Sequence, residues 1–212
     1  MPHDDDVTVE PVNGLPEALP PGEIILWQGR PSVPALLREA LSLNWVIGYF
    51  ALLIIWRIGV SSASMPLGQA VLTGLPFAVL ALITIAILYG IAHAQARATV
   101  YTITSERIAM RIGAALTLTL NLPFPKIGAA DLSLSRDGSG TIALRTHGQA
   151  RLSYLILWPH VRPWHMKDTQ PALRCIPDAA KVAAILAEAA ETRISKPELS
   201  RRDVPAGAVA AE

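Results

Sequence analysis

The sequence predicts an α+β membrane protein: a two-helix transmembrane hairpin joined to a small antiparallel β-barrel that is capped by a C-terminal helix. Three observations predict it. Hydrophobic residues make up 51% of the 212-residue chain and charged residues only 17%, against roughly 25% charged in a typical soluble domain. The charge deficit is concentrated in two long apolar runs. Beyond them the hydrophobic period changes from helical to two, and near the C-terminus back to helical.

In chain order, MPHDDDVTVEPVNGLPEALPPG (1–22) is acidic and proline-rich. It has neither the basic start nor the apolar core of a secretory signal and is expected to be a disordered tail. Residues 23–42 supply a strand, EIILW, closed by the turn Gln28-Gly29-Arg30-Pro31, and a juxtamembrane segment that packs with the cytoplasmic domain. Residues 43–96 form the hairpin. LNWVIGYFALLIIWRIGV (43–60) holds one charge, Arg57, close enough to the outer end to snorkel, and residues 71–94 hold none. At about 1.5 Å per residue, each run can cross a hydrocarbon core of about 30 Å. Arg30 and Arg38 precede the first helix, Arg97, Arg107 and Arg111 follow the second, and the connection SSASMPLGQA (61–70) is uncharged. The positive-inside rule therefore places both termini in the cytoplasm.

Residues 97–194 form the cytoplasmic domain. TVYTIT (99–104), RIAMRI (107–112), LTLTLNL (116–122), DLSLS (131–135), TIALRT (141–146) and RLSYLIL (151–157) read as six short strands joined by tight turns, a meander that must curl into a barrel or sandwich. Pro177-Asp178 then opens a helix, with Ala179, Val182, Ala183, Leu186 and Ala190 on one face and Lys181, Glu188 and Glu191 off it. Residues 195–212 are expected to be a second disordered tail.

Composition and motif spacing narrow the function. A net charge of +1 excludes a nucleic-acid partner held by bulk electrostatics. The lone Cys175 has no internal disulfide partner and no CxxC mate. The five histidines (His3, His93, His147, His160 and His165) form no HxxxH or HExxH pair, and no glycine-rich phosphate loop occurs. The expectation is a non-enzyme without catalytic residues, metal or cofactor. Two segments read instead as interaction surfaces. Ala86, Gly90 and Ala94 recur every four residues, the pattern that lets helix backbones approach closely, either within this hairpin or between chains. In WPHVRPW (158–164), Pro159 and Pro163 exclude a continuing strand or helix. Trp158, His160, Arg162 and Trp164 there either dock a partner, being largely of hot-spot type, or close one end of the barrel.

GEIILWQGRP (22–31), two apolar helices, then YTITSERIAMRIG (101–113) resembles the bacterial membrane-anchored pleckstrin-homology-like (PH-like) family. A narrower resemblance, over about residues 15–192, is to the photosynthetic complex assembly proteins of purple phototrophic bacteria. It rests on ILWQGRP (25–31), LTLNLPF (118–124), SYLILWPHVRPW (153–164) and LRCIPDAAKVA (173–183). LNLPF and WPHVRPW carry most of its specificity. The resemblance implies an assembly factor of the inner, intracytoplasmic membrane. Its implied partners are reaction-centre and core-antenna polypeptides or other assembly factors, with homo-oligomers as a further option. The alternative is a PH-like module that binds lipid headgroups or membrane proteins generally. Headgroup binding wants Lys and Arg clustered on a loop between early strands, whereas Arg107 and Arg111 lie within a strand.

Overall fold

Residues 14–15, 17–114, 117–147 and 153–195 are described by the computed structural model. Among them seven strands form two antiparallel sheets. The first runs β1 (Ile25–Gly29), β2 (Val100–Thr104), β3 (Arg107–Ile112), β4 (Leu118–Pro123) in that order, and the second β5 (Ile127–Leu134), β6 (Gly140–Thr146), β7 (Ala172–Ile176). Ser105-Glu106 turns β2 into β3 with Ile103 opposite Ile108. Tyr101, Ile103, Ile108, Met110 and Leu122 from the first sheet meet Ile142, Leu144 and Leu173 from the second in one core.

The predicted barrel does not close. β4 and β5 meet at a 3-10 turn, Phe124–Lys126, flanked and interrupted by Pro123 and Pro125, and the two strands share no ladder. A proline has no N–H to donate to a ladder, so this pair breaks the meander where closure would need it. On the other side β7 is not laddered to β1, although the Ser32 N–H, just past β1, donates to the Cys175 carbonyl at 2.8 Å.

RLSYLIL is the second correction. Arg151 and Leu152 lie outside the described residues, and Tyr154–Leu157 form a helical turn, α5, not a strand. A short apolar run fits either period, and Pro159 just beyond it denies the ladder that would favour a strand. The seventh strand is β7, ALRCI.

Helix α6 (Ala179–Ile194) begins after Asp178, whose φ of 50° is left-handed, so Pro177 precedes the helix instead of opening it. Its stripe is as patterned: Ala179, Val182, Leu186 and also Ala189 are buried, and Ala183 and Ala190 pack on the core. Of the two expected tails, residues 1–13, 16 and 196–212 lie outside the described residues. Leu15, within the first, is buried. Gly14 beside it has a φ of 90° and stands so near β2 that a Cβ would fall 2.6 Å from Val100 Cγ1.

Two spans are long and apolar enough to cross a membrane: α2 (Leu43–Ser62), and α3 (Leu67–Leu72) continued by α4 (Leu75–Ala98). In the most apolar 18 residues of each, only 6% are buried. At the far end the Ser61 and Thr73 hydroxyls meet at 3.0 Å, and Gly74 lets α4 start against Ile54 and Ile58. At the domain end a short helix α1 (Val33–Ala35) runs into a π-helical turn, Leu36–Ala40, whose Leu36 and Leu37 bury Ala92 and Ala96 of α4.

Candidate functional site

The chain leaves β6 and returns at β7 through an excursion that is pinched in the middle. Ala172 N–H donates to the His160 carbonyl and Arg162 N–H to the Gln170 carbonyl, both at 2.9 Å, with Val161 bridged to Pro171. This neck separates α5 from a tip, residues 163–169. Pro159 and Pro163 donate no hydrogen bond, which confines the pairing to the residues between and opposite them.

His160 fixes the neck. It is 1% exposed, with Nε2 3.1 Å from Thr99 Oγ1 and Nδ1 2.6 Å from the Tyr101 hydroxyl. The Arg174 N–H donates to that hydroxyl oxygen at 3.2 Å. Tyr101 therefore gives its own proton to Nδ1, and Nε2–H donates to Thr99, so every group is partnered around a neutral imidazole. Burial, with the Arg174 charge behind it, pushes the His160 pKa down to about 3. Burial also raises the Tyr101 pKa, keeping its proton on oxygen. Thr99 is the first residue beyond α4, its N–H still bonded to the Gln95 carbonyl. The loop is thus bolted to the end of an apolar helix.

A β-bulge makes the second bolt. The β6–β7 register shifts between Gly140 and Ile142, Cys175 takes a left-handed φ of 54°, and both Arg174 and Cys175 turn inward. The Arg174 guanidinium donates from Nη1 to the Pro159 carbonyl at 3.1 Å and from Nη2 to the Glu39 carbonyl at 3.2 Å. Loop, strand and the π-helical turn ahead of α2 therefore share one buried cation, held by carbonyl dipoles. The Glu39 carboxylate accepts from Ser135 and, at 3.7 Å, from the Cys175 thiol. Burial raises the Cys175 pKa to about 12, with Arg174 opposing and Glu39 reinforcing the shift, so the thiol is unreactive.

Arg162 is also engaged within the fold. Its Nη1 donates to Asp131 Oδ2 at 2.7 Å and to Gln170 Oε1 at 3.1 Å. The four residues of WPHVRPW expected to form one partner face are therefore split. His160 and Arg162 hold the loop, because a buried or half-buried polar group must be paired. Trp158 and Trp164 point outward, Trp164 at 87% exposure and with a left-handed φ of 65°. Leu155, Ile156 and Met166 are exposed beside them in sequence. Ala86, Gly90 and Ala94 all face away from the rest of the chain, and a Cβ on Gly90 would meet nothing within 4 Å. Packing within the chain uses Leu88, Ala92 and Ala96 instead.

Tyr101, Thr99 and Arg174 were not singled out from the sequence, though a signal was there. In TVYTIT, Thr99 and Tyr101 share a face with Ile103, so two hydroxyls enter the core and need partners. An arginine in the middle of ALRCI poses the same demand.

The comparisons with known proteins agree with this architecture. The bacterial PH domain profile matches residues 40–190, more than half of the chain. Over 201 residues, 92% of each chain, the sequence is 45% identical to a Rhodobacter capsulatus protein described as an uncharacterised 23.7 kDa protein in the puhA 5′ region. No solved structure matches significantly. An open two-sheet β domain, an apolar hairpin inserted after its first strand and a closing C-terminal helix, together with these matches, make the chain a member of the bacterial PH domain family.

Proposed function

We propose that this chain is a membrane-anchored assembly factor for the photosynthetic reaction centre and core light-harvesting complex. It acts by protein–protein contact through its PH-like domain and its membrane helices, without catalysis of its own. On this reading both spans cross the cytoplasmic (intracytoplasmic) membrane, with both termini in the cytoplasm. The observation that carries the proposal is the 45% identity to a protein named for its place beside puhA in Rhodobacter capsulatus. The narrower sequence resemblance, to the PuhB type of photosynthetic complex assembly protein, points the same way. The free Ala86, Gly90 and Ala94 face offers a helix partner or a second copy a close approach.

Co-purification from detergent-solubilised phototroph membranes tests it. Reaction-centre or core-antenna polypeptides should follow the tagged chain, and deleting its gene should deplete the assembled complexes in absorption spectra. Recovery without either polypeptide, together with normal complex levels in the deletion strain, would refute the assembly role.

A further inference from the structure

Between Leu155 and Met166, five large apolar side chains are exposed: Leu155 at 85%, Ile156, Trp158, Trp164 and Met166. A soluble surface rarely carries so dense a group without something to cover it. Its location in the fold identifies the cover. The neck is bonded through His160 to Thr99, immediately after α4, and through the Pro159 carbonyl to Arg174, which also holds Glu39, four residues before α2 begins. Pro163, at the root of the tip, lines a cavity of about 290 Å³ together with Glu39 and Arg174. The neck of the excursion is therefore tied to the domain-side ends of both apolar helices.

The level can be estimated along α4. His93 is the first titratable side chain after its apolar run, and Thr99 lies about 9 Å of helical rise beyond that histidine. That is little more than the thickness of a headgroup layer, within reach of a tryptophan side chain. Tryptophan favours this layer, where its ring meets acyl chains and its N–H meets water. Lys167, at the tip, and Arg97, in the last turn of α4, are exposed at the same end, where anionic headgroups would lie. Asp168, the acid beside them, accepts from Gln170 at 3.3 Å.

We infer that α5 and the tip form a bilayer anchor, with Leu155, Ile156, Trp158, Trp164 and Met166 seated in the boundary between headgroups and acyl chains of the membrane that α2 and α4 cross. The occupant is lipid, recognised by apolar contact and not by a headgroup pocket. The inference rests on the membrane-spanning reading of the helices but not on the photosynthetic role.

The test uses the full chain in lipid nanodiscs with a nitrobenzoxadiazole label on Met166→Cys, and the same label on Trp45→Cys in the first turn of α2. Native Cys175 is buried and stays unlabelled. The label at 166 should emit at shortened wavelength and be quenched most by a nitroxide near the headgroups, matching a depth of about 5–10 Å. Adding Leu155→Glu and Trp164→Glu should abolish both effects. If the label at 166 stays aqueous and unquenched while that at 45 is quenched, the helices are inserted but the anchor is wrong. If neither is quenched, the spanning reading falls and the anchor with it. Shielding at 166 that appears only when membrane proteins are added, and not in pure lipid, would overturn the lipid assignment in favour of a protein partner. Quenching that survives the double glutamate change would show that these side chains are not what holds the loop down.

Discussion

Helices α4 and α6 are both long, regular and rich in alanine, yet they treat their surroundings in opposite ways. Helix α6 buries one stripe, Ala179, Val182, Leu186 and Ala189, and turns Lys181, Glu188 and Glu191 outward. Helix α4 is apolar on every side until its last two turns, and its buried residues, Ala92 and Ala96, lie in those turns, where it meets the π-helical turn ahead of α2. A one-sided helix carries its solvent boundary along its length, whereas an all-apolar helix must be surrounded by something apolar. The first is a part of the domain core, and the second is long and apolar enough to cross a membrane.

Substitutions can break this contrast. The largest effect is expected from Leu186→Asp, which puts an unpaired charge under α6 at a cost on the order of 5 kcal/mol, enough to unfold many domains. Protease resistance of the detergent-solubilised chain should be lost, and wild-type resistance would mean that α6 contributes nothing to the core. A charge on α4 should act differently. Ile83→Lys, at an exposed position, should cost about 3 kcal/mol of membrane insertion and leave the domain's own stability unchanged. Alkaline extraction of membranes would show it as released chain; unchanged retention would place α4 in water or behind protein.

Acid gives the smallest effect and separates the same two regions. His160 has a folded pKa of about 3 against an ordinary value of 6.5. Between those values the unfolded chain takes up a proton that the folded one refuses. The stabilisation is therefore complete above about pH 6.5 and is lost as pH falls toward 3. At about 1.4 kcal/mol per unit, lowering the pH from 6.5 to 5 should weaken the domain by about 2 kcal/mol. Denaturant melts at pH 7 and 5 should show that loss in the β domain while the helical signal of the hairpin stays put. His160→Gln should remove this part of the pH slope. A slope as steep in the variant would assign it to other groups.

The spans were legible because hydropathy over some twenty residues needs no partner to be recognised, and α6 because its stripe is local. Strands β2, β3 and β6 announced themselves by β-branched residues between turn signals. The missed β7 has both faces buried, so ALRCI shows no alternation, and an arginine at its centre argues against a core strand. That arginine is tolerated because the carbonyls of Glu39 and Pro159 reach it, one of them 135 residues away in sequence. The same holds for WPHVRPW. Its composition marked it as a special segment, but which side chains turn inward is decided by Thr99 and Tyr101, some sixty residues earlier. Barrel closure was unreadable for a related reason, since strand patterns specify faces and not which edges meet.

The bond from His160 to Thr99 has a mechanical consequence. With Arg174 gripping the segment ahead of α2 as well, the domain has no swivel at its base. It must follow its helices as a rudder follows its shaft. One residue added to the middle of α4 would turn everything beyond it by about 100° around the helix axis. The heading of the domain's whole surface is thus set by how the two helices lean and rotate, and a neighbour that grips those helices steers the domain without touching it.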